Sequence, residues 1–176
     1  MNRYNLITIL FCFLSVFSFG QDQNNLVPNS SFESLDGKLK KLKQLNAAKD
    51  WNSPTALSAD LFSTKKEGAI GAPVNIYGKE HPKDGDNYAG IVAYSYNNKT
   101  PRTYVQAPLI NQLTGGLDYC VKFHVSLSDL SKYAINNITA HIGVDPLVLD
   151  NKGDIIFNNR KEFSNVVKNH APLNQQ

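Results

Sequence analysis

The residues with the clearest binding chemistry lie between positions 94 and 102. Tyr94 and Tyr96 are separated by one residue, so an extended backbone would place both rings on the same face. Asn97 and Arg102 follow and add an amide and a guanidinium group. Aromatic faces stack on the C–H surfaces of sugars, and polar groups bind their hydroxyls. The pattern predicts a glycan-binding surface; the alternative is a strand end that carries amphipathic tyrosines.

A second aromatic candidate for ligand binding is Trp51, the single tryptophan of the chain. It lies near Pro54 in a segment rich in loop-forming residues. An indole ring in such a loop can serve as a platform for a sugar. A lone tryptophan in a domain of this size is more often an anchor of the core, and both interpretations stay open.

No residue pattern in the chain indicates catalysis. The sequence has no Gly-x-Ser-x-Gly turn, no His-Glu-x-x-His helix and no Gly-rich phosphate loop before a helix. His124 and His141 fall on the polar faces of two expected strands, but a zinc site needs about three or four ligands. We therefore expect a non-catalytic protein. A pair of acids for glycoside hydrolysis leaves no local motif, so a hydrolase stays a third hypothesis.

The elements expected to position these residues are short strands. Apolar side chains alternate from Tyr119 to Leu127 and again from Ile138 to Val144, the period of strands with one buried face. The two runs are predicted to be antiparallel neighbours whose apolar side chains lie between two sheets. Gly, Pro and Asn separate further short runs, and the whole pattern indicates a β-sandwich.

One short helix is expected beside these strands. Leu39, Leu42 and Leu45 recur at helical spacing after Asp36, which is a suitable N-cap. Lysines fill most of the positions between the leucines. They form either the solvated face of the helix or a basic docking face.

The first twenty residues have the three parts of a cleavable signal peptide. Arg3 supplies the positive charge, residues 6–17 form an uncharged apolar run, and Ser18 and Gly20 fit a small-x-small cleavage site. The run is shorter than the about 20 residues that span a bilayer, and no later stretch approaches that length. We expect export to the periplasm, the outer membrane or the cell surface, with no membrane span after cleavage.

Composition limits the partners of residues 21–176. The formal charge of the chain is +3, and loss of Arg3 with the signal peptide lowers it by one, to +2. So small a charge disfavours nucleic acid and anionic membranes as partners. Cys120 is the only cysteine after residue 20, which excludes an intrachain disulfide. We expect one domain that is stabilised by its core.

The segment Asn25-Leu-Val-Pro-Asn-Ser-Ser-Phe-Glu33 resembles the first strand of jelly-roll, galactose-binding-like modules of the carbohydrate-binding type. Further segments follow in an order that is similar to one group, the N-terminal domain of exported OmpA-like cell-envelope proteins of gram-negative bacteria. These segments are Ala48-Lys-Asp-Trp51, Pro54-Thr55, Ala59-Asp-Leu-Phe62, Gly71-Ala-Pro-Val-Asn75, Tyr77-Gly78, Gly85-Asp-Asn-Tyr-Ala-Gly90 and Ser126-Leu-Ser-Asp-Leu-Ser-Lys-Tyr-Ala-Ile135. The likeness extends from about Asn24 to Val144.

The resemblance implies an all-β jelly-roll sandwich over residues 21–157, with residues 158–176 as a polar tail or a truncated continuation. Members of the group usually continue into further strands and a peptidoglycan-binding OmpA-like domain, so the C-terminal strands of the sandwich are expected to be missing. The implied function is an exported binding module for a cell-wall or surface glycan. The alternative is a structural or assembly subunit that docks on another outer-membrane or periplasmic protein.

The resemblance also implies a structural calcium ion. Related modules often use a Glu after the first-strand Phe as a ligand, and Glu33 occupies that position. Calcium takes about six to eight oxygens, and Asp84 and Asp86 in a Gly-rich turn are the best further candidates. The alternative is a strand-end carboxylate at Glu33 and turn-forming residues at Asp84 and Asp86.

Overall fold

The computed structural model describes residues 25–135, 138–149 and 155–156. The predicted signal peptide (1–20) and the predicted tail (158–176) lie outside these residues. The strands are β1 (Asp60–Ser63), β2 (Val74–Asn75), β3 (Gly78–Lys79), β4 (Asn87–Gly90), β5 (Val148–Leu149) and β6 (Ile155–Ile156). Short 3₁₀ helices occur at Leu45–Ala47, Gly68–Ile70 and Tyr96–Asn98.

The strands pair as three antiparallel two-stranded sheets, β1–β4, β2–β3 and β5–β6. The β1–β4 pair aligns Asp60 with Gly90 and Ser63 with Asn87. A protein of strands and loops with little helix is therefore confirmed, whereas a sandwich of two larger sheets stays a prediction. Within the described ranges, no helix is long and apolar enough to cross a bilayer.

The apolar core lies around β1, whose four side chains are all buried. Leu61 has no exposed surface and belongs to a cluster with Leu39, Ala47, Ala48 and Ile70. Phe32, Leu42 and Trp51 pack against this cluster. Removing such side chains from water is the main favourable term in folding. The cluster therefore holds the N-terminal segment, β1 and the loop after β1 together.

The segment that precedes Leu45 forms hydrogen-bonded bends, so the predicted helix is wrong. The Gln44 carboxamide oxygen accepts the N–H groups of Lys40 and Lys41, both at 2.8 Å. A side-chain acceptor thus satisfies two donors that a helix would bond through its own carbonyls. Leu39 and Leu45 are nevertheless buried. Their spacing predicts which residues reach the core, although not the backbone conformation that brings them there.

The backbone conformation of Lys43 is also incompatible with a helix. Its backbone has a left-handed φ of 62°, which a continuous α-helix does not contain. Its N–H donates to the carboxylate of Asp60 at 2.6 Å. The acceptor lies on β1, far along the chain, so the local sequence carries no signal for it.

The two runs predicted as buried neighbouring strands form no strand between residues 117 and 144 in the part of the chain that the structure describes. Phe123 is 45% exposed and Val144 is 84% exposed, while Ile142 is half-buried. A strand needs a neighbour for its N–H and C=O groups, and alternation alone does not supply one. The prediction that Phe123 lies in a dry layer between sheets is therefore wrong.

Candidate functional site

The motif that carries the resemblance forms a compact turn, and not the predicted first strand. The Asn29 side chain donates to the carbonyls of Ser34 and Lys49, at 2.9 and 2.8 Å, and accepts the N–H of Ser34 at 2.9 Å. Asn29 has a left-handed φ of 46°, which asparagine adopts more readily than most residues. The turn therefore ties the N-terminal segment to the loop before Trp51.

Trp51 lies in this same arrangement, which we call the N-terminal junction (Asn29, Phe32, Glu33, Trp51 and Asn87). The indole N–H donates to the carbonyl of Asn29 at 2.9 Å. The indole and Phe32 rings pack with centroids 4.7 Å apart. Trp51 also packs on the core cluster and is half-buried. Its polar group and much of its ring serve the fold, which favours the core-anchor interpretation over a sugar platform.

Glu33 joins the junction to the turn that contains Asp84 and Asp86. Its Oε1 accepts the backbone N–H groups of Asp86 and Asn87, both at 2.9 Å. The Asn87 side chain returns a hydrogen bond to the carbonyl of Phe32 at 3.0 Å. Glu33 therefore lies next to the predicted turn. The observed contacts are hydrogen bonds that cap backbone donors.

Gly85 shows how closely the two segments approach. Its φ of 65° is left-handed, and a Cβ at this position would lie 2.5 Å from the carboxyl carbon of Glu33. A side chain here would meet both backbone strain and a direct clash. The glycine therefore allows Glu33 to reach the N–H groups behind it.

The carboxylate oxygens of Asp86 in this turn are engaged by an ion pair and a hydrogen bond. The Lys65 ammonium lies 2.5 Å from Asp86 Oδ2, and the Thr64 hydroxyl donates to the other carboxylate oxygen. The Lys65 contact, and then the Thr64 hydrogen bond, hold the pKa of Asp86 below its ordinary value. Among the described residues, no three His, Cys, Asp or Glu side chains are grouped to hold a metal. Calcium binding stays a prediction.

The second predicted cluster contains an open aromatic cleft. Tyr94 and Tyr133 meet edge to face, with ring centroids 5.0 Å apart and planes at 76°. They line a cleft of about 500 Å³ together with Ala134 and Ile135, and we call these four residues the tyrosine cleft. Tyr94 is 44% exposed. The cleft is open to solvent and presents aromatic surface at its edge.

The loop that follows the cleft carries the remaining predicted binding residues. Ser95 is extended and Tyr96 begins a 3₁₀ helix, so the two tyrosines do not lie on one continuous extended strand. The Ser95 hydroxyl closes the loop, since it donates to the carbonyl of Thr100 at 2.6 Å and accepts the Thr100 N–H at 3.0 Å. Tyr96, Asn97 and Arg102 are all exposed. The loop presents a ring, an amide and a guanidinium group to solvent.

Sequence reasoning missed Tyr133, Ala134 and Ile135 as partners of Tyr94. These residues lie between the two runs predicted as strands, Tyr119–Leu127 and Ile138–Val144, where an aromatic residue carries no binding signal of its own. Their position in the resemblance segment that ends at Ile135 was the only available indication. Pairing of Tyr94 with Tyr133 depends on the path of the chain between them.

Asp60 is a buried carboxylate that sequence reasoning also missed. Burial raises its pKa above the ordinary value, although the N–H of Lys43 and the hydroxyl of Tyr77 hydrogen-bond to it. Perturbed carboxylates often mark active sites. This one is 7% exposed and accepts the Lys43 N–H at 2.6 Å. Its observed contacts fix the bend before Leu45 to β1, which is a structural role.

Comparison of the chain with protein-family models, with curated protein sequences and with solved structures finds no match. The resemblance to the OmpA-like envelope proteins therefore depends on the residues quoted above.

Proposed function

We propose that this chain is an exported, non-catalytic binding module of the bacterial cell envelope that recognises a cell-wall or surface glycan. The observation that carries the proposal is the tyrosine cleft, in which two partly exposed rings border a cavity of about 500 Å³. The resemblance to carbohydrate-binding jelly-roll modules and the predicted signal peptide supply the envelope context.

The chemistry of the cleft suits a sugar ring. Tyr94 and Tyr133 offer aromatic surface to the C–H groups of a pyranose, and their hydroxyls bind polar groups at its rim. Tyr96, Asn97 and Arg102 are exposed on the adjoining loop and provide donors for further hydroxyl or carboxylate groups. Binding in an open cleft needs no reacting side chain.

The test is a titration of the chain with soluble cell-wall fragments and with neutral and acidic polysaccharides. Tyr94→Ala and Tyr133→Ala should each weaken glycan binding about tenfold, because each removes a stacking surface. Tyr94→Phe should retain most of the affinity, because the ring remains. Tyr104 is similarly exposed but does not line the cleft, so Tyr104→Ala is the matched control. An equal loss in the control, or no glycan retention by the unchanged chain, would contradict the proposal.

A second candidate function is docking on another envelope protein. The exposed apolar side chains of the run from Tyr119 to Leu127 favour it, because contiguous apolar surface is commonly covered by a protein partner. Phe123→Asp should then abolish co-purification with a defined envelope partner and leave glycan retention unchanged. Tyr94→Ala should have the opposite pattern if the glycan is the ligand.

A further inference from the structure

A second cavity, separate from the tyrosine cleft, opens beside the core. It measures about 780 Å³ and lies between the bends at residues 39–43 and the loop at residues 66–70. Four exposed lysines form its rim, Lys40, Lys41, Lys43 and Lys66. We call this cavity the lysine groove.

The rim of the lysine groove is strongly and unequally charged. Glu67 is the one acidic residue among its lining residues, so four lysines and one glutamate leave a formal charge of +3. Among the described residues, no ammonium group of these lysines lies within 4.0 Å of a carboxylate oxygen; the single close ion pair joins Lys65 to Asp86. The Lys43 backbone contacts the buried Asp60 carboxylate, and the Lys43 charge acts on that group. The excess of lysines around one concavity attracts an anionic partner.

The backbone holds these lysines in place. The N–H groups of Lys40 and Lys41 donate to Gln44, and that of Lys43 donates to Asp60. On the opposite wall, the N–H of Lys66 donates to the carbonyl of Ser63 at 3.1 Å. The backbone of the rim is therefore already ordered, so binding orders only the lysine side chains.

The interior of the groove is apolar. Leu39 and Ile70 are buried beneath it, at 2% and 6% exposed. The apolar surface that remains accessible belongs to Leu42, which is half-buried, and to Ala69, which is exposed. The lining residues include no aromatic ring, so the groove lacks the stacking surface that a sugar uses.

We propose that the lysine groove binds an acidic peptide segment of a partner protein, with one apolar side chain of the peptide against Leu42 and Ala69. Carboxylates on either side of that residue pair with the lysines of the rim. The charge of the groove, its concave apolar base and its ordered backbone favour this occupant. The site is independent of the tyrosine cleft and of glycan binding.

The probe is a fluorescein-labelled peptide of Asp and Glu residues with one central Leu, titrated into the full chain at low ionic strength. The double variant Lys40→Glu/Lys66→Glu should weaken its affinity by about tenfold or more, because both walls then repel the peptide. The control Lys49→Glu/Lys99→Glu reverses two exposed lysines outside the groove and should change affinity less than about twofold. Replacing the central Leu of the peptide by Ser should weaken binding about fivefold.

Three results would overturn the proposal. One is an equal loss in the control variant, since general charge would then explain binding. Another is equal affinity for the Leu and Ser peptides, because the apolar residues of the groove would then contribute nothing to binding. The third is binding of phosphatidylglycerol vesicles that displaces the peptide from the groove. Unchanged thermal unfolding of both double variants shows that any loss of affinity arises at the surface.

Discussion

Two regions of the molecule differ in how their apolar residues are placed. The packed region, residues 29–90, contains β1 and β4, the core cluster and the N-terminal junction. The open region, residues 117–135 and 138–144, has an equally regular apolar pattern but exposes most of its large side chains. The difference shows that apolar side chains are buried where their backbone has hydrogen-bond partners and where another apolar surface packs against them.

In the packed region, side chains from distant positions satisfy the backbone of each turn. Gln44, Asp60 and Glu33 each accept backbone N–H groups. The open region is attached near β3 by several hydrogen bonds. The N–H of Lys79 donates to Asp129 at 2.7 Å, the N–H of Leu130 and the hydroxyl of Ser128 donate to the carbonyl of Tyr77, and the hydroxyl of Ser126 donates to Glu80 at 2.6 Å. Polar contacts therefore occur in both regions, whereas the buried apolar side chains of the described residues lie in the packed region.

The largest expected effect is on global stability, and it tests the contrast directly. Leu61→Ala should lower the free energy of unfolding by about 2–5 kcal/mol, because it leaves a cavity around a fully buried site. Phe123→Ala should lower it by less than about 1 kcal/mol, because that ring is 45% exposed. Urea unfolding measures both. Similar losses for the two variants would mean that the open region is buried in solution.

The next effect concerns Glu33. Glu33→Ala should lower the free energy of unfolding by about 1–3 kcal/mol, because two N–H groups lose their acceptor. Glu33→Gln keeps an amide oxygen as acceptor and should lower the free energy of unfolding by less. The melting temperature of each variant is measured with and without Ca²⁺. If Ca²⁺ raises the melting temperature strongly and Glu33→Gln abolishes that rise, Glu33 is a calcium ligand as predicted, and its assignment as a cap of backbone N–H groups is wrong.

The smallest effect is a pH dependence at Asp60. Its folded pKa is raised by burial above the ordinary value of 3.8. The stabilisation it contributes is therefore full below pH 3.8 and is lost as pH rises through the folded pKa. Asp60→Asn removes this titration, so the wild type should lose stability relative to the variant as pH rises across that window. A difference between the two unfolding free energies that stays constant with pH would contradict this assignment.

Particular residues show what the sequence could and could not predict. The spacing of Leu39, Leu42 and Leu45 predicts an apolar face, and two of the three side chains are buried while Leu42 is half-buried. The Asp60 carboxylate that accepts the Lys43 N–H lies too far along the chain for the local sequence to indicate it. The calcium hypothesis groups Glu33, which the resemblance supplies, with Asp84 and Asp86, which are chosen from their Gly-rich turn, and Glu33 does contact that turn. The hypothesis did not predict that backbone N–H groups are the partners of Glu33, because every residue type except proline carries that donor.

The tyrosine cleft gives the same lesson for the candidate site. Tyr94 and the polar residues that follow it in the sequence are of the types found in binding surfaces, so the local sequence pattern is enough to identify them. Tyr133 becomes part of the cleft only through the path of the open region. Local chemistry is readable from the sequence, whereas the pairing of distant segments depends on the fold.

The position of Trp51 gives the protein a built-in optical reporter. Because the chain has one tryptophan, its near-ultraviolet emission comes from a single indole, which lies against Phe32 and donates to the carbonyl of Asn29. Opening of the junction would expose that indole to water and shift its emission to longer wavelength. A fluorescence trace and a backbone circular-dichroism trace, recorded on the same sample, would therefore separate loss of the junction from loss of the rest of the fold.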